Sequence, residues 1–248
     1  RGPLMTMPTM RRPLSFSFAL HFAIILLLFV VMPAWQDKKI VLDQPSAPFP
    51  VQRLAQLYRE RDGDLKKLIA SLETLAGQPG DASWAAKVAL AGVYRQDGQL
   101  DKAAEAYERA AEGKPKEPGP LQALAALKAD RGDKAAARAA LEKALPLLTI
   151  PADVEQSRRT LMGLCLDLQD FEAARAHHAE LVKRGQGSLF VKAELGRELM
   201  SRGLYDRAEP EFRELVKAAA GDNRALAPAL RDLGAVLAKQ KKMKESLE

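Results

Sequence analysis

Three histidines and one cysteine are the residues of this 248-residue chain best suited to nucleophilic, acid–base or metal chemistry near neutral pH. His177 and His178 are adjacent, so their side chains would point about 100° apart on a helix, and no third ligand is near in sequence. Cys165 falls at a packing position of the repeat described below, which favours a buried hydrophobe over a nucleophile. Glycine-rich phosphate loops, Cys/His clusters and a Ser elbow are absent from the sequence. The sequence therefore predicts a protein that is not an enzyme and that uses neither a metal nor a cofactor.

The third histidine, His21, lies inside an apolar segment. Residues 14–35 contain no Asp, Glu, Lys or Arg, and as a helix they would extend roughly 33 Å, enough to cross the hydrocarbon core of a bilayer. Trp35 ends the segment, where an interfacial aromatic residue is expected. We therefore predict a transmembrane helix over 14–35, preceded by a cytoplasmic tail over 1–13.

A cleaved signal peptide is the alternative interpretation of the apolar segment. Its cleavage site should be small-x-small, and the only candidate, Met-Pro-Ala at 32–34, has Met and Pro at the critical places. Arg11 and Arg12 precede the segment, whereas Lys38 and Lys39 after it are balanced by nearby acidic residues. The positive-inside rule then predicts a single-pass protein of a bacterial inner membrane, with a cytoplasmic N-terminus and a periplasmic remainder.

Beyond a Pro-rich linker predicted over 36–48, the sequence repeats itself at intervals of close to 34 residues. In the clearest copy, over 84–115, small residues alternate with large ones at the spacing of two helices that cross closely. This spacing resembles the tetratricopeptide repeat, which implies an all-α fold: one transmembrane helix followed by a solenoid of helix-turn-helix units over 49–248. The repeats are predicted near 49–83, 84–117, 118–154, 155–188 and 189–226, with a truncated copy over 227–248.

The resemblance to tetratricopeptide repeats also implies a binding surface. In that family the first helix of each repeat lines a groove that holds a protein ligand, and charged side chains there suggest an acidic or C-terminal carboxylate partner. Solubilising charges without a ligand role are the alternative. The residues of this chain at the groove positions are Arg95, Gln122, Asp130, Arg159, Asp167, Arg197, Met200, Arg231 and Lys239.

The apolar segment carries a second resemblance. Ser17 and His21 lie one helical turn apart and form a polar notch, and such side chains inside a membrane usually contact protein. Ser17, His21 and Leu28 match in order and spacing the single N-terminal span of TonB and TolA proteins, although the final Ser of that pattern is Met32 here. The resemblance implies contact with proton-channel motors of the ExbB–ExbD or TolQ–TolR type. A plain membrane anchor is the alternative.

Together these patterns predict a membrane-anchored protein-interaction scaffold, the TonB/TolA-like component of a motor driven by the proton-motive force. Its partners would be the motor proteins, membrane lipid and an unknown periplasmic protein. Lys and Arg are interspersed with Asp and Glu despite a net charge of +6, so nucleic acid is not an expected partner. Two alternatives are a periplasmic chaperone or assembly factor without a motor, and the substrate-selecting N-terminal part of a larger enzyme.

Overall fold

A computed structural model describes residues 32–240, and all of their regular structure is helical. The all-α, helical-repeat prediction is therefore confirmed for this part of the chain. We number the helices α1 to α12 in chain order: Met32–Asp43, Pro48–Asp62, Lys66–Ala76, Asp81–Gln96, Leu100–Gly113, Pro118–Asp130, Lys134–Ala144, Pro151–Asp167, Phe171–Arg184, Leu189–Ser201, Tyr205–Ala219 and Asn223–Lys239. A 3-10 turn, Leu145–Leu147, follows α7.

The helix ends follow from local sequence chemistry. Three helices begin with proline at the first position, α2 at Pro48, α6 at Pro118 and α8 at Pro151, where the missing N–H costs no hydrogen bond. Three others begin after an aspartate whose carboxylate accepts a backbone N–H of the first turn, Asp133 before α7, Asp170 before α9 and Asp222 before α12. These residues fix where each of these helices begins, so the two helices of a repeat are separated by a short turn.

The chain divides into two compact units, and the boundary between Ala103 and Ala104 falls inside α5. In the first unit, α4 contacts α1, α2 and α3. Its inward residues include Val88, which is fully buried. The hydroxyl of Tyr94 on α4 donates a 2.7 Å hydrogen bond to Glu73 on α3. Burial, together with this carboxylate, raises the pKa of Tyr94 to about 12.

In the second unit, consecutive helices pack as pairs. Helix α6 contacts α7, α8 contacts α9, and α10 contacts α11, while α8 also touches α10 and α10 also touches α12. The cluster of buried side chains between the last pairs includes Cys165, Leu199 and Phe212. Phe212 is fully buried and packs directly over Gly196, which has no side chain to obstruct it. The first helices thus stack on one another, as the repeat pattern predicts.

Two predictions concern the N-terminal part of the chain. Residues 36–43 belong to α1 instead of a Pro-rich linker, because the prolines lie at 45, 48 and 50, in the turn after α1 and in the first turn of α2, where proline is tolerated. The predicted transmembrane helix lies outside the described residues except for 32–35. Within residues 32–240, no helix combines the length and the apolar character needed to cross a membrane.

Candidate partner-binding surface of the first helices

Two ion pairs establish how α8 and α10 are aligned. Arg159 on α8 pairs with Glu194 on α10, and Asp167 at the end of α8 pairs with Arg202 just after α10. In both pairs the partners are 35 residues apart in sequence. Because the two pairs occur in the same order along both helices, α8 and α10 run in the same direction, shifted by one repeat. The predicted groove residues Arg159 and Asp167 therefore lie against the next repeat.

Arg159 is engaged on two sides. Its Nε donates to a Glu194 carboxylate oxygen at 3.0 Å, its Nη2 to the other at 3.3 Å, and its Nη1 lies 3.6 Å from Glu155. The hydrogen bonds with Glu194 raise the pKa of the Arg159 guanidinium. Arg159 thus holds two repeats together, and its charge is already compensated by carboxylates of this chain.

Arg197 and Arg231 share one carboxylate. Asp232 on α12 is buried, and it accepts hydrogen bonds from Arg197 on α10 at 3.0 Å and from Arg231 at 3.3–3.4 Å. The guanidinium of Arg197 also lies 5.7 Å from the ring centroid of Phe190, within the range of a cation–π interaction. Arg231 differs from Arg197 in keeping 74 % of its side chain exposed.

Asp167 is the acceptor of two cations. Arg202 donates to its Oδ1 at 2.7 Å, and the Nζ of Lys134 at the start of α7 lies 2.8 Å from its Oδ2. Burial alone would raise the pKa of this carboxyl, but the hydrogen bonds from Lys134 and Arg202 outweigh it and the pKa is lowered. Asp167 therefore stays ionised and joins three successive helical pairs.

The other predicted groove residues occupy different settings. Arg95 lies at the end of α4 in the first unit, whereas the other predicted groove residues belong to the second unit. Gln122 is half-buried on α6, and Asp130 is exposed at the end of that helix. Met200 packs partly against the buried cluster of the second unit, and Lys239 is the exposed last residue of α12.

Four residues of this surface were missed by sequence reasoning: Glu155, Phe190, Glu194 and Asp232. The three carboxylates bind the predicted arginines, and Phe190 is a large apolar side chain with 69 % of its surface exposed. A signal for two of them was present. Glu194 and Asp232 each lie 35 residues after an arginine of the preceding first helix, close to the repeat length.

His177, His178 and Cys165 pack inside the second unit. Cys165 is fully buried, and burial raises the pKa of its thiol, as in an unreactive cysteine. The Nε2 of His178 lies 2.9 Å from the carbonyl oxygen of Val191 and links α9 to the start of α10. The Nδ1 of His177 is buried without a hydrogen-bond partner. In the part of the chain that the structure describes, no three His, Cys, Asp or Glu side chains are grouped to hold a metal ion.

The remaining predicted site, formed by Ser17, His21 and Leu28, lies outside the described residues. Its contact with a motor stays a prediction.

Comparisons with known proteins bear on the fold. No protein-family model and no curated protein matches the sequence. Among solved structures, a tetratricopeptide repeat protein from Parabacteroides merdae is 18 % identical with a TM-score of 0.52, and the match covers 81 % of this chain and 76 % of that one. MamA is also 18 % identical, with a TM-score of 0.48 over 66 % of this chain and 86 % of its own.

A third solved structure is YrrB, which is described as a tetratricopeptide repeat protein with an unusual peptide-binding site. It is 17 % identical, with a TM-score of 0.43 over 65 % of this chain and 79 % of its own. At sequence identities of 17–18 %, structural similarity supports a shared fold and nothing more. The support here comes from the Parabacteroides protein, whose TM-score is 0.52. With its paired helices and stacked first helices, the described part of this chain has the tetratricopeptide-repeat fold.

Proposed function

We propose that the second unit is a scaffold that holds a segment of a partner protein along α8, α10 and α12. The observation that carries this proposal is the stacking of these first helices, aligned and tied by the Arg159–Glu194 and Arg197–Asp232 pairs. A surface fixed by inter-repeat ion pairs is pre-organised, so ligand binding does not carry the entropic cost of ordering that surface. This role makes and breaks no bond in the partner.

The charges of this surface favour one point of contact for an acidic partner. Arg159 and Arg197 are bound to carboxylates of the chain itself, so an incoming carboxylate would have to compete for them. Arg231 makes only long hydrogen bonds to Asp232 and is mostly exposed, so its guanidinium still has donors to offer. We therefore expect Arg231 to contribute more to partner affinity than Arg159.

A site-specific crosslink tests this proposal. A photo-reactive amino acid replaces Lys239, the exposed end of α12, in cells that express the full chain. The matched control replaces Lys217, which is also exposed but lies on the second helix α11. We expect a defined protein adduct from position 239 and none from 217, and Arg231→Glu should weaken it about tenfold. Equal adducts from both positions, or none, would contradict a binding role for the first helices.

The finer proposal is that the scaffold is anchored in a bacterial inner membrane and coupled to a motor of the ExbB–ExbD or TolQ–TolR type. Its support comes from the sequence: an uncharged segment over 14–35 and the Ser17, His21 and Leu28 pattern within it. A periplasmic chaperone without a motor, or the substrate-selecting part of a larger enzyme, are the competing roles.

Copurification distinguishes the motor from a plain anchor. The full chain and its Ser17→Ala/His21→Leu variant are purified from native membranes in a mild detergent, with Phe22→Leu as the control. Loss of an ExbB-type partner from the double variant alone supports motor contact, because Leu and Ala remove the polar notch but keep the segment apolar. Equal recovery of such partners from all three chains would refute it.

A further inference from the structure

Two large apolar side chains are exposed at one edge of the second unit. Ile150, immediately before α8, is 58 % exposed, and Phe190, the second residue of α10, is 69 % exposed. Since α8 and α10 run in the same direction in contact with each other, their N-terminal ends lie at the same edge. Covering these two side chains would be favourable, so this edge offers apolar area on two neighbouring repeats to a partner surface.

The structure holds Phe190 in its exposed position. The next residue, Val191, is tied to α9 through the 2.9 Å contact between its carbonyl oxygen and the buried His178. The turn before α10 is tight, because Gln186 and Gly187 both have positive φ, at 52° and 76°. Because the backbone around Phe190 is already ordered, covering this residue costs only the conformational freedom of its side chain.

The segment that carries Phe190 has charges of one sign, and the start of α8 at the same edge adds the exposed Asp153. Residues 182–192 include Lys183, Arg184 and Lys192 and no acidic residue. Lys183 and Arg184 are exposed at the end of α9, and no salt bridge joins either to another described residue. At the opposite end of the α8–α9 pair, residues 164–174 include three carboxylates, and two of them, Asp167 and Asp170, are paired with cations of neighbouring helices. The apolar edge therefore has an excess of cations, because Lys183, Arg184 and Lys192 outnumber Asp153.

We propose that this edge, defined as Ile150, Lys183, Arg184 and Phe190, docks on the surface of an anionic lipid bilayer. Phe190 and Ile150 would enter the boundary between headgroups and acyl chains, and Lys183 and Arg184 would lie among the headgroup phosphates. A bilayer accepts apolar side chains at separate points with cations between them, which suits this edge better than the continuous apolar patch of a protein interface. The proposal does not depend on the predicted N-terminal span.

The test places a fluorescent probe at this edge and a matched one at the opposite edge. The full chain carries bimane on Ser188→Cys, in the turn before Phe190, or on Leu168→Cys, after α8. Native Cys165 is fully buried, so it does not react in the folded protein. Each labelled chain is mixed with phosphatidylcholine vesicles, with or without phosphatidylglycerol, that contain nitroxide-labelled lipid as a quencher.

We expect quenching at 188 and not at 168, only with phosphatidylglycerol, and weaker quenching as salt is added. Lys183→Glu/Arg184→Glu should weaken vesicle binding at the 188 probe by at least about tenfold, and Phe190→Ser by about tenfold. The control Arg109→Glu/Arg213→Glu makes the same charge change in the middle of α5 and α11 and should have a small effect.

The proposal would be overturned by no quenching at 188, by equal quenching at both probes, or by equal binding of the edge and control variants. Quenching at 188 that requires native membranes with their proteins would also overturn it, in favour of a protein partner. Flotation of the chain with vesicles but without quenching at 188 would agree with the predicted N-terminal anchor and would contradict the docking edge.

Discussion

One position in the turn between the first and second helix of a repeat requires a positive φ. Gly98, Gly132 and Gly203 occupy the same position in three turns between a first and a second helix, with φ of 78°, 80° and 73°. In the intervening repeat this position is Gln169, which adopts φ 60° although it has a Cβ. An L-residue in this region costs about 1 kcal/mol relative to glycine, because Cβ approaches its own carbonyl oxygen.

Gln169→Gly is therefore expected to stabilise the protein by about 1 kcal/mol, less a few tenths for the greater freedom of the unfolded chain. Urea denaturation followed by circular dichroism measures it. The reverse change in the next repeat, Gly203→Gln, is the matched control and should destabilise by a similar amount. If both substitutions shift the midpoint in the same direction, the conformational explanation is wrong.

Gly196 gives a second prediction at this scale, since a Cβ there would lie only 2.9 Å from Cζ of the buried Phe212. Gly196→Ala should lower stability by about 1–3 kcal/mol through overpacking, offset by about 1 kcal/mol of helix propensity. Gly163 on α8 is the control, because the nearest atom to its added Cβ is the flexible end of Arg202 at 3.4 Å. Gly163→Ala should be neutral or stabilising in the same urea titration, and equal effects of the two would contradict this account.

Where α9 packs against α7 and α8, the structure predicts a pH dependence. His177 on α9 has its pKa lowered, chiefly by burial and then by Arg158 on α8. Arg138 on α7 adds to this, while Glu142 and Asp170 oppose it. Its Nδ1 is buried without an acceptor, so a proton there would have no partner.

Because the unfolded chain binds this proton near pH 6.5 and the folded chain only at lower pH, stability should fall as pH drops below about 6.5. The loss ends once pH passes below the lowered pKa. His177→Gln does not titrate and should remove this part of the dependence, as measured by urea midpoints between about pH 7 and about pH 5. His178→Gln should not remove it. An unchanged pH profile in His177→Gln would show that another group is responsible.

The helices also show what the sequence could and could not predict. The repeat was predictable because small and large residues recur at intervals of close to 34 residues at positions that become buried, as Ala103 and Phe212 do. Helix α1 was not predictable in the same way, because the prolines at 45, 48 and 50 suggested a linker. Proline is nevertheless compatible with a turn and with the first turn of a helix.

The partners of the groove arginines were harder to predict for a different reason. The sequence indicated that Arg159 and Arg197 lie on the groove face, but which carboxylates reach them depends on how far one first helix is shifted along the next. That shift is a tertiary quantity set by packing across the whole pair. The exposure of Phe190 likewise depends on the tight turn and the His178 contact that precede α10.

At the scale of the whole molecule, stacked repeats are stabilised by their neighbours alone, so a local defect should stay local. In the second unit, α12 is joined to α10 through Asp232, which is buried and accepts hydrogen bonds from Arg197 and Arg231. It is joined to α11 by packing and by an exposed 2.8 Å hydrogen bond between Gln240 and Asp206. These two links differ in burial and should differ in strength.

Asp232→Ala leaves two guanidinium groups without their acceptor, at a cost of about 1–3 kcal/mol. Hydrogen exchange followed by mass spectrometry should then show amides of α12 exchanging about tenfold faster or more, while those of α6 and α7 are unchanged. Asp206→Ala removes only the exposed bond and should leave exchange in α12 nearly as in the unaltered protein. Faster exchange spread evenly from α6 to α12 would mean that the repeats unfold as one cooperative block, and the neighbour-by-neighbour description of this solenoid would have to be abandoned.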